Sequence, residues 1–494
     1  MVYLPSIQKV DGLRAWPLYS VQSTRQMEAH AQAELPTHTL MQRAGLATAR
    51  LAIAIAPHAR VIWIACGPGN NGGDGLEAAM HLHQWGKQVI VTGPGHAEQL
   101  PANAKQSHQR AIQAGVHFQA VPPTSFDLVI DALLGIGCQR PPDGVMATWL
   151  ETIAQTTAPV LSIDTPSGLM ADTGRWLRSS TDRPRNASRH TLSLLSLKPG
   201  LFTAEGRDAT GQVWLDDLGV DASHQIAPCA WLQASHIAPF ERPHSSHKGS
   251  FGDVIVVGGA SGMGGAAVLA SLAALHGGAG RVFLALLDTS MHGVVTATHP
   301  SLMVREVDTL DFKQATVVCG CGGSEAVRSQ LPRVISTAAR LVLDADALNA
   351  IAQDTSLQTL LHHRAQRQQP TVLTPHPLEA ARLLELTTTH VQSDRLEAAQ
   401  QLARQTQSVV VLKGSGTVVA HPAHVPTLNA TGNALLATAG TGDVLAGLIG
   451  AKMAQGASAF EAACDAVRAH GSVADAWPKT GASFDAALLA ASVR

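Results

Sequence analysis

The tetrad Gly440-Thr441-Gly442-Asp443 opens an apolar run, residues 444–449, that reads as the first turns of a buried helix. Free N–H groups at such a helix start form an anion site, and the glycines let a ligand approach the backbone. The Asp443 carboxylate has two readings: an N-cap, or a base acting on a hydroxyl that receives a phosphoryl group. A second stretch of this kind is Gly67-Pro68-Gly69-Asn70-Asn71-Gly72-Gly73-Asp74-Gly75, which follows the apolar run 60–66 and precedes a helix expected over 76–85. Its two amides and one carboxylate offer side-chain oxygens besides backbone donors, so it suits a dinucleotide or phosphate; the alternative is a polar turn capped by Asp74. Asp131 and Asp164 each end an apolar run, and Ser167 follows the second. If the loops bearing Asn71, Asp131 and Ser167 converge, their oxygens suit a hard cation as well as a ribose.

The elements that must position these groups alternate between β and α patterns. Two amphipathic helices are expected over residues 23–51, broken at Leu35-Pro36-Thr37, followed by strands near 60–66, 87–92, 126–132 and 159–163. Residues 221–247 carry three prolines and several serines and histidines without a period of their own, and read as a linker. Beyond it come another strand, a glycine-rich loop and an Ala/Leu helix, then strands near 316–318, 341–343, 371–373, 408–412 and 418–420. The expected fold class is therefore α/β, in two domains at 1–224 and 225–494.

With 494 residues, 45% hydrophobic and 15% charged, both domains can bury a sizeable core. A net charge of −2 leaves no electrostatic footprint for nucleic acid or an anionic membrane, so the expected partners are small molecules, with a homo-oligomer as the assembly. The six cysteines show no paired metal spacing apart from one Cys-x-Cys, and its Cys319 and Cys321 read as small core and loop residues. The first residues lack a basic stretch followed by an apolar core, and no apolar run reaches about 18 residues, so a cytoplasmic location is expected.

The combination of residues 67–75, Asp131-Ala132-Leu133-Leu134-Gly135-Ile136-Gly137, Asp164-Thr165-Pro166-Ser167-Gly168 and Lys198-Pro199-Gly200 resembles the NAD(P)H-hydrate epimerase family. The resemblance implies a Rossmann-like three-layer α/β/α domain. It also implies that Asn70, Asn71, Gly72, Gly73 and Asp74, together with Gly135, Ile136, Gly137, Cys138, Gln139, Arg140 and Pro141, contact the hydrated nucleotide. Asp164 would be catalytic at the substrate, and Asn71, Asp131 and Ser167 would hold a potassium ion.

In the second half, the loops at Cys319-Gly320-Cys321-Gly322, Asp344-Ala345-Asp346, Thr374-Pro375-His376-Pro377, Lys413-Gly414-Ser415-Gly416-Thr417 and 440–443 resemble the ribokinase superfamily, most closely its ADP- or ATP-dependent NAD(P)H-hydrate dehydratase branch. The resemblance implies that Ala266, Gly322, His376 and Asp443 face the hydrated nicotinamide nucleotide, with Asp443 catalytic. Lys413, Gly414, Ser415, Gly416, Thr417 and Gly442 would hold ADP or ATP with magnesium. Hydroxide is a poor leaving group; phosphorylating it lets elimination restore the dihydropyridine. One chain would then epimerise the R and S hydrates and dehydrate the S form. A vitamin or sugar kinase with an N-terminal nucleotide-binding module shares 440–443 but leaves 70–74 without a role. A non-catalytic scaffold for the first domain leaves Asn71 and Asp164 without one.

Overall fold

The computed structural model describes residues 6–93, 97–177, 188–220, 226–235, 243–478 and 483–493. Cα proximity divides the chain into two compact units, Met1–Asp11 with Trp16–Leu232, and Gly12–Ala15 with Gln233–Arg494. The domain boundary expected between residues 224 and 225 lies outside the described residues.

The first unit carries β1 (Gln8–Lys9), β2 (Trp16–Leu18), α1 (Val21–Glu34), α2 (Thr39–Ile55), β3 (Val61–Cys66), α3 (Asn70–Gln84), β4 (Gln88–Thr92), α4 (Ala102–Gln113), β5 (His117–Gln119), β6 (Leu128–Ala132), α5 (Gly144–Gln155), β7 (Val160–Ile163), β8 (Arg189–Leu194), α6 (Gly206–Ala209), β9 (Gln212–Asp216) and β10 (Ala230–Leu232). Eight strands form a sheet in the order β1-β9-β8-β7-β6-β3-β4-β5, parallel except for β1 at its edge. Strand β3 shows why this is a three-layer unit. Its Ile62, Ile64 and Cys66 pack into the cluster on one face of the sheet, while Trp63 and Ala65 pack with Trp149, Leu150 and Ile153 of α5 on the other. A strand buried on both faces reads as a continuous apolar run, as residues 61–66 do. From β3 the chain winds outward through β4 and β5, then returns to place β6 on the opposite side of β3. That reversal opens a crevice at the carboxyl ends of β3 and β6, where open α/β sheets bind ligands.

Two sequence expectations are corrected here. The glycine-rich stretch is not a loop before a helix at 76: α3 starts at Asn70, with Gly69 in the N-cap position and no side chain capping the first turn. Each glycine costs about 1 kcal/mol of helix propensity, but a Cβ on Gly72 would stand 2.0 Å from the Gly67 carbonyl oxygen and one on Gly75 2.6 Å from Ala132. Close packing onto the strand ends overrides propensity. The supposed linker at 221–247 also contains β10, which pairs antiparallel with β2 and buries Ala230 and Leu232.

The second unit carries β11 (Asp253–Gly258), α7 (Gly264–His276), β12 (Arg281–Leu286), α8 (His292–Thr298), β13 (Met303–Val304), β14 (Thr316–Cys319), α9 (Leu331–Thr337), β15 (Arg340–Leu343), α10 (Ala345–Gln353), α11 (Thr355–Gln366), β16 (Thr371–Leu373), α12 (Pro377–Leu384), α13 (Thr388–Ser393), α14 (Arg395–Thr406), β17 (Val409–Leu412), β18 (Val418–His421), β19 (His424–Leu428), α15 (Thr441–Ala454), α16 (Ala459–Asp475) and α17 (Ala486–Ser492). Its strands run β13-β12-β11-β14-β15-β16-β17-β18-β19, parallel through β17 and antiparallel after it. The order reverses between β11 and β14, so a second crevice opens beside Gly258 and Cys319. Helices α7 and α15 pack over these strands in one cluster with Val254, Val256 and Val318. Both units are thus α/β/α.

Candidate functional site

In the first unit, the crevice beside β3 and β6 is a cavity of about 700 Å³, within the range of small-molecule sites. Asn70, Asn71, Asp74, Gly135, Ile136, Gly137, Cys138 and Asp164 line it, together with side chains of α1 and the α1–α2 connection. Gly72 and Gly73 lie buried beneath, on the packed side of α3. Gln139, Arg140 and Pro141 are exposed and do not line the cavity. The uncapped start of α3 leaves its first N–H groups for a ligand.

Asp164 follows β7 in a left-handed conformation, φ +65°, uncommon for a residue with a side chain. Its Oδ1 accepts from Lys198 Nζ at 2.5 Å, and its Oδ2 accepts from Ile136 N at 3.3 Å. The lysine side chain is fully buried and also donates to Leu194 O at 2.8 Å and Ser193 Oγ at 3.2 Å. A Cβ added to Gly135 would stand 3.1 Å from Asn71 Oδ1 and 3.3 Å from Asp164 Oδ2, so that loop passes directly over both groups. Asp74 contributes a different kind of carboxyl: burial, then the charges of Asp164, Glu28 and Glu77, push it well above the usual carboxylate range. One acid is therefore ion-paired and the other favours its proton, the division of labour that acid–base chemistry uses.

Deeper in the same strand ends, Asp131 accepts from Ser167 Oγ at 2.6 Å and Ser167 N at 3.0 Å, and Ser167 Oγ accepts from Leu134 N at 2.9 Å. Asp131 and Ser167 are thus brought together. The Asn71 amide approaches the adjoining Gly135 loop, and its buried Nδ2 has no hydrogen-bond partner among the described residues.

In the second unit the groups gather around the start of α15. Gly440, at φ +88°, precedes the helix, so Asp443 is a first-turn residue rather than the cap. Burial, then the charge of Asp344, pushes its carboxyl up to about 6. Lys413, after β17, places Nζ 2.8 Å from Asp344 Oδ1 and 3.9 Å from Glu379 Oε2; a Cβ on Gly442 would stand 3.4 Å from that Nζ. Burial works against the lysine charge, but Asp344 and Glu379 outweigh it and raise Lys413. Asp344 also accepts from Thr374 Oγ1 at 2.6 Å. The ligand atoms of Cys321, Asp344 and Asp443 lie within 4.8 Å of one another. Burial holds the Cys321 thiol well above its usual range, so it is a poor metal ligand and the carboxylate oxygens are the hard donors of this cluster.

His376 caps α12. Its Nδ1 accepts from Leu378 N and Glu379 N, both at 3.1 Å, so Nε2 carries the proton and sits 3.3 Å from Glu379 Oε1. Burial, then Lys413, lowers this histidine, while burial pushes Glu379 up to about 7. Gly322, at φ +58°, lies against the Ala266 side chain at the reversal of strand order. Gly414 lies against Arg395, whose fully buried guanidinium donates to Leu412 O and Lys413 O at 3.2 Å. Behind the helix start, His470 Nε2 meets Thr441 O at 2.9 Å, and burial lowers that imidazole to about 4.

Sequence reasoning left three of these groups without a role. Lys198 and Asp344 stand in quoted motifs, and Glu379 lies three residues beyond His376, yet the opposite charges they meet, Asp164, Lys413 and Lys413, are 34, 69 and 34 residues away. Only the strand order brings them together.

Among known families, one described as YjeF-related protein N-terminus matches residues 37–200, and one described as NAD(P)H-hydrate dehydratase matches residues 254–493. The chain is 37% identical to the bifunctional NAD(P)H-hydrate repair enzyme Nnr of Escherichia coli over 89% of its own length and 85% of the relative's. Against the enzyme of the same name from Coxiella burnetii the identity is 33%, covering 93% and 94%. Of solved structures, an ADP/ATP-dependent NAD(P)H-hydrate dehydratase from Bacillus subtilis, co-crystallised with ATP and Mg2+, is 30% identical with a TM-score of 0.44, covering 51% of this chain and 90% of that one.

Proposed function

This chain belongs to the family of bifunctional NAD(P)H-hydrate repair enzymes, and from that premise we propose that its first unit epimerises the hydrates and its second dehydrates the S form at the expense of ADP or ATP. The observation that carries the reading is the meeting, on one cavity, of the α3 start, the 135–138 loop and Asp164, which Lys198 holds from behind, while a crevice of the second unit gathers Lys413, Asp344 and Asp443.

In the first unit, the hydroxyl-bearing ring carbon must lose one bond and re-form it on the other face. Asp74, whose carboxyl burial raises, is suited to give a proton to the departing oxygen, and Asp164, oriented by Lys198, to accept one from the returning water. Potassium fits the oxygen set of Asn71, Asp131 and Ser167, since one carboxylate among neutral oxygens balances a single positive charge. When bound, it would fix the strand-end loops that carry the nucleotide.

In the second unit, Asp443 takes the proton of the ring hydroxyl as that oxygen receives a phosphoryl group, and elimination of phosphate with loss of the neighbouring ring proton restores the dihydropyridine. The residues 413–417 and the α15 start at Gly442 receive the nucleotide phosphates. Magnesium accompanying the nucleotide would draw on phosphate oxygens and the Asp344 carboxylate, neutralising phosphate charge. Ala266, Gly322 and His376 form the wall for the nicotinamide end.

No helix among the described residues is long and apolar enough to cross a membrane. A cytoplasmic location and a homo-oligomeric assembly are part of this proposal. The test is to incubate the purified chain with mixed hydrate epimers, with and without ADP or ATP, and follow the absorbance of NADH. Full recovery with nucleotide supports both activities. A stable phosphorylated product without NADH would instead support a kinase.

A further inference from the structure

Three carboxyl groups, those of Glu28, Asp74 and Asp164, line the cavity of the first unit, and burial raises both Glu28 and Asp74. A dinucleotide adds the two negative charges of its diphosphate, so a cation must meet it for the complex to be favourable. Lys198 is committed to Asp164 and has no exposed side-chain surface, and burial lowers His38, the one histidine of the lining. Arg25 is the remaining cation of that lining.

Its position is specific. The Arg25 guanidinium lies 3.7 Å from where a Cβ on Gly137 would stand, which places it over the loop that also touches Asn71 and Asp164. No ion pair ties it to a carboxylate among the described residues, in contrast to Arg110 on Glu77 in the same unit. Helix α1, which presents it, is held at its start: Ser20 Oγ accepts from Ser23 N at 3.1 Å, Asp172 Oδ1 accepts from Val21 N at 2.7 Å, and Thr24 meets Ser196 at 2.8 Å. An exposed guanidinium on an anchored helix reaches an anion at little desolvation cost and offers it a bidentate fork. Arg140, the arginine implied by resemblance, is exposed and off the lining.

We propose that Arg25 binds the diphosphate of the nicotinamide dinucleotide in the first unit, opposite the uncapped start of α3. This rests on the epimerase reading. The test uses full-length protein carrying Arg25→Gln, without ADP or ATP, and follows the two epimers by chromatography. KM for epimerisation should rise about tenfold for NADH hydrate and NADPH hydrate alike, the worth of one charge-assisted contact, with kcat within about twofold. Arg25→Lys should recover part of the loss, and the salt dependence of KM should flatten in Arg25→Gln. A binding arm uses ADP-ribose, which carries the diphosphate and no hydrated ring, read by tryptophan fluorescence; its Kd should weaken by the same factor. That arm reports on Arg25 even where the unmutated protein turns over no hydrate, so loss of the epimerase reading and loss of this assignment are told apart. An unchanged KM and Kd, a fall in kcat alone, or an effect confined to NADPH hydrate, whose extra group is the 2′-phosphate, overturns the proposal.

Discussion

Replacing Lys198 by methionine removes a charge that has no exposed side-chain surface and three hydrogen bonds, to Asp164 Oδ1 at 2.5 Å, Leu194 O at 2.8 Å and Ser193 Oγ at 3.2 Å. Methionine fills nearly the same volume, so little of the cost is a cavity. The cost is instead the orphaned Asp164 carboxylate, since breaking a buried pair by removing one partner costs about 3–5 kcal/mol. For a unit of this size that is a melting shift of about 10–15 °C. Of the eight tryptophans only Trp477 lies beyond residue 232, so tryptophan fluorescence during thermal or guanidinium unfolding follows the first unit. Epimerisation should be lost and dehydration of pure S hydrate retained. The decisive comparison is the double variant Lys198→Met/Asp164→Asn, which removes the buried charge altogether. It should regain about half of the lost stability without regaining activity. A Lys198→Met protein that melts within a degree or two of the parent, or a double variant less stable than the single, would refute the claim that this pair is a buried, mutually dependent ion pair.

Asp443→Asn should lower dehydratase turnover by about 10²–10⁴, the worth of a positioned base, with epimerisation unchanged. In the parent, the base form is needed, so turnover should fall as pH drops through about 6, the value to which burial and Asp344 raise this carboxyl; a rate flat from pH 5 to 8 would exclude Asp443 as the base. Asp131→Ala should abolish epimerisation, and the parent should require potassium over sodium or tetramethylammonium; an enzyme indifferent to cation would return Asp131 to an anchor for Ser167 alone. Gly414→Ala puts a Cβ 2.9 Å from the Arg395 guanidinium at φ +138°, which should destabilise the second unit by about 1–3 kcal/mol and raise the KM for ADP; an unaffected midpoint in circular dichroism would count against it.

The strands were legible because those buried on both faces appear as unbroken apolar runs, as at 61–66 and 409–412. The start of α3 was not, since glycine's low helix propensity points to a loop; only the proximity of Gly67 O and Ala132 explains why glycines are required inside a helix. The same limit hid β10, whose three residues gain their strand conformation from β2, more than 200 residues earlier. Single acids were visible at strand ends. What pairs with them was not, because Lys198 and Lys413 reach Asp164 and Asp344 through the order of strands in each sheet, and that order leaves no local mark in the sequence.

Those two pairs expose a common physical solution. In each unit an aspartate follows a parallel strand and takes a lysine ammonium from a later loop, while a second carboxyl nearby is raised, Asp74 in the first unit and Asp443 in the second. A crevice that must receive an anionic nucleotide cannot hold two unpaired carboxylates as well. Pairing one with lysine removes its net charge, and burial lets the other keep its proton more readily, so both sites retain acid–base groups without a large repulsive field. The consequence differs between the two. Lys198 is sealed among Ser193, Leu194 and Asp164, so it acts as a fixed counter-charge. Lys413 retains some exposure and stands 3.4 Å from where a Cβ on Gly442 would be, within reach of phosphate oxygens arriving at the α15 start. Neutralising Lys413 to methionine should therefore weaken nucleotide binding as well as stability, whereas Lys198→Met should leave the KM for ADP untouched. Measuring that KM in both variants separates a structural counter-charge from a ligand contact, and equal values in the two would refute the distinction.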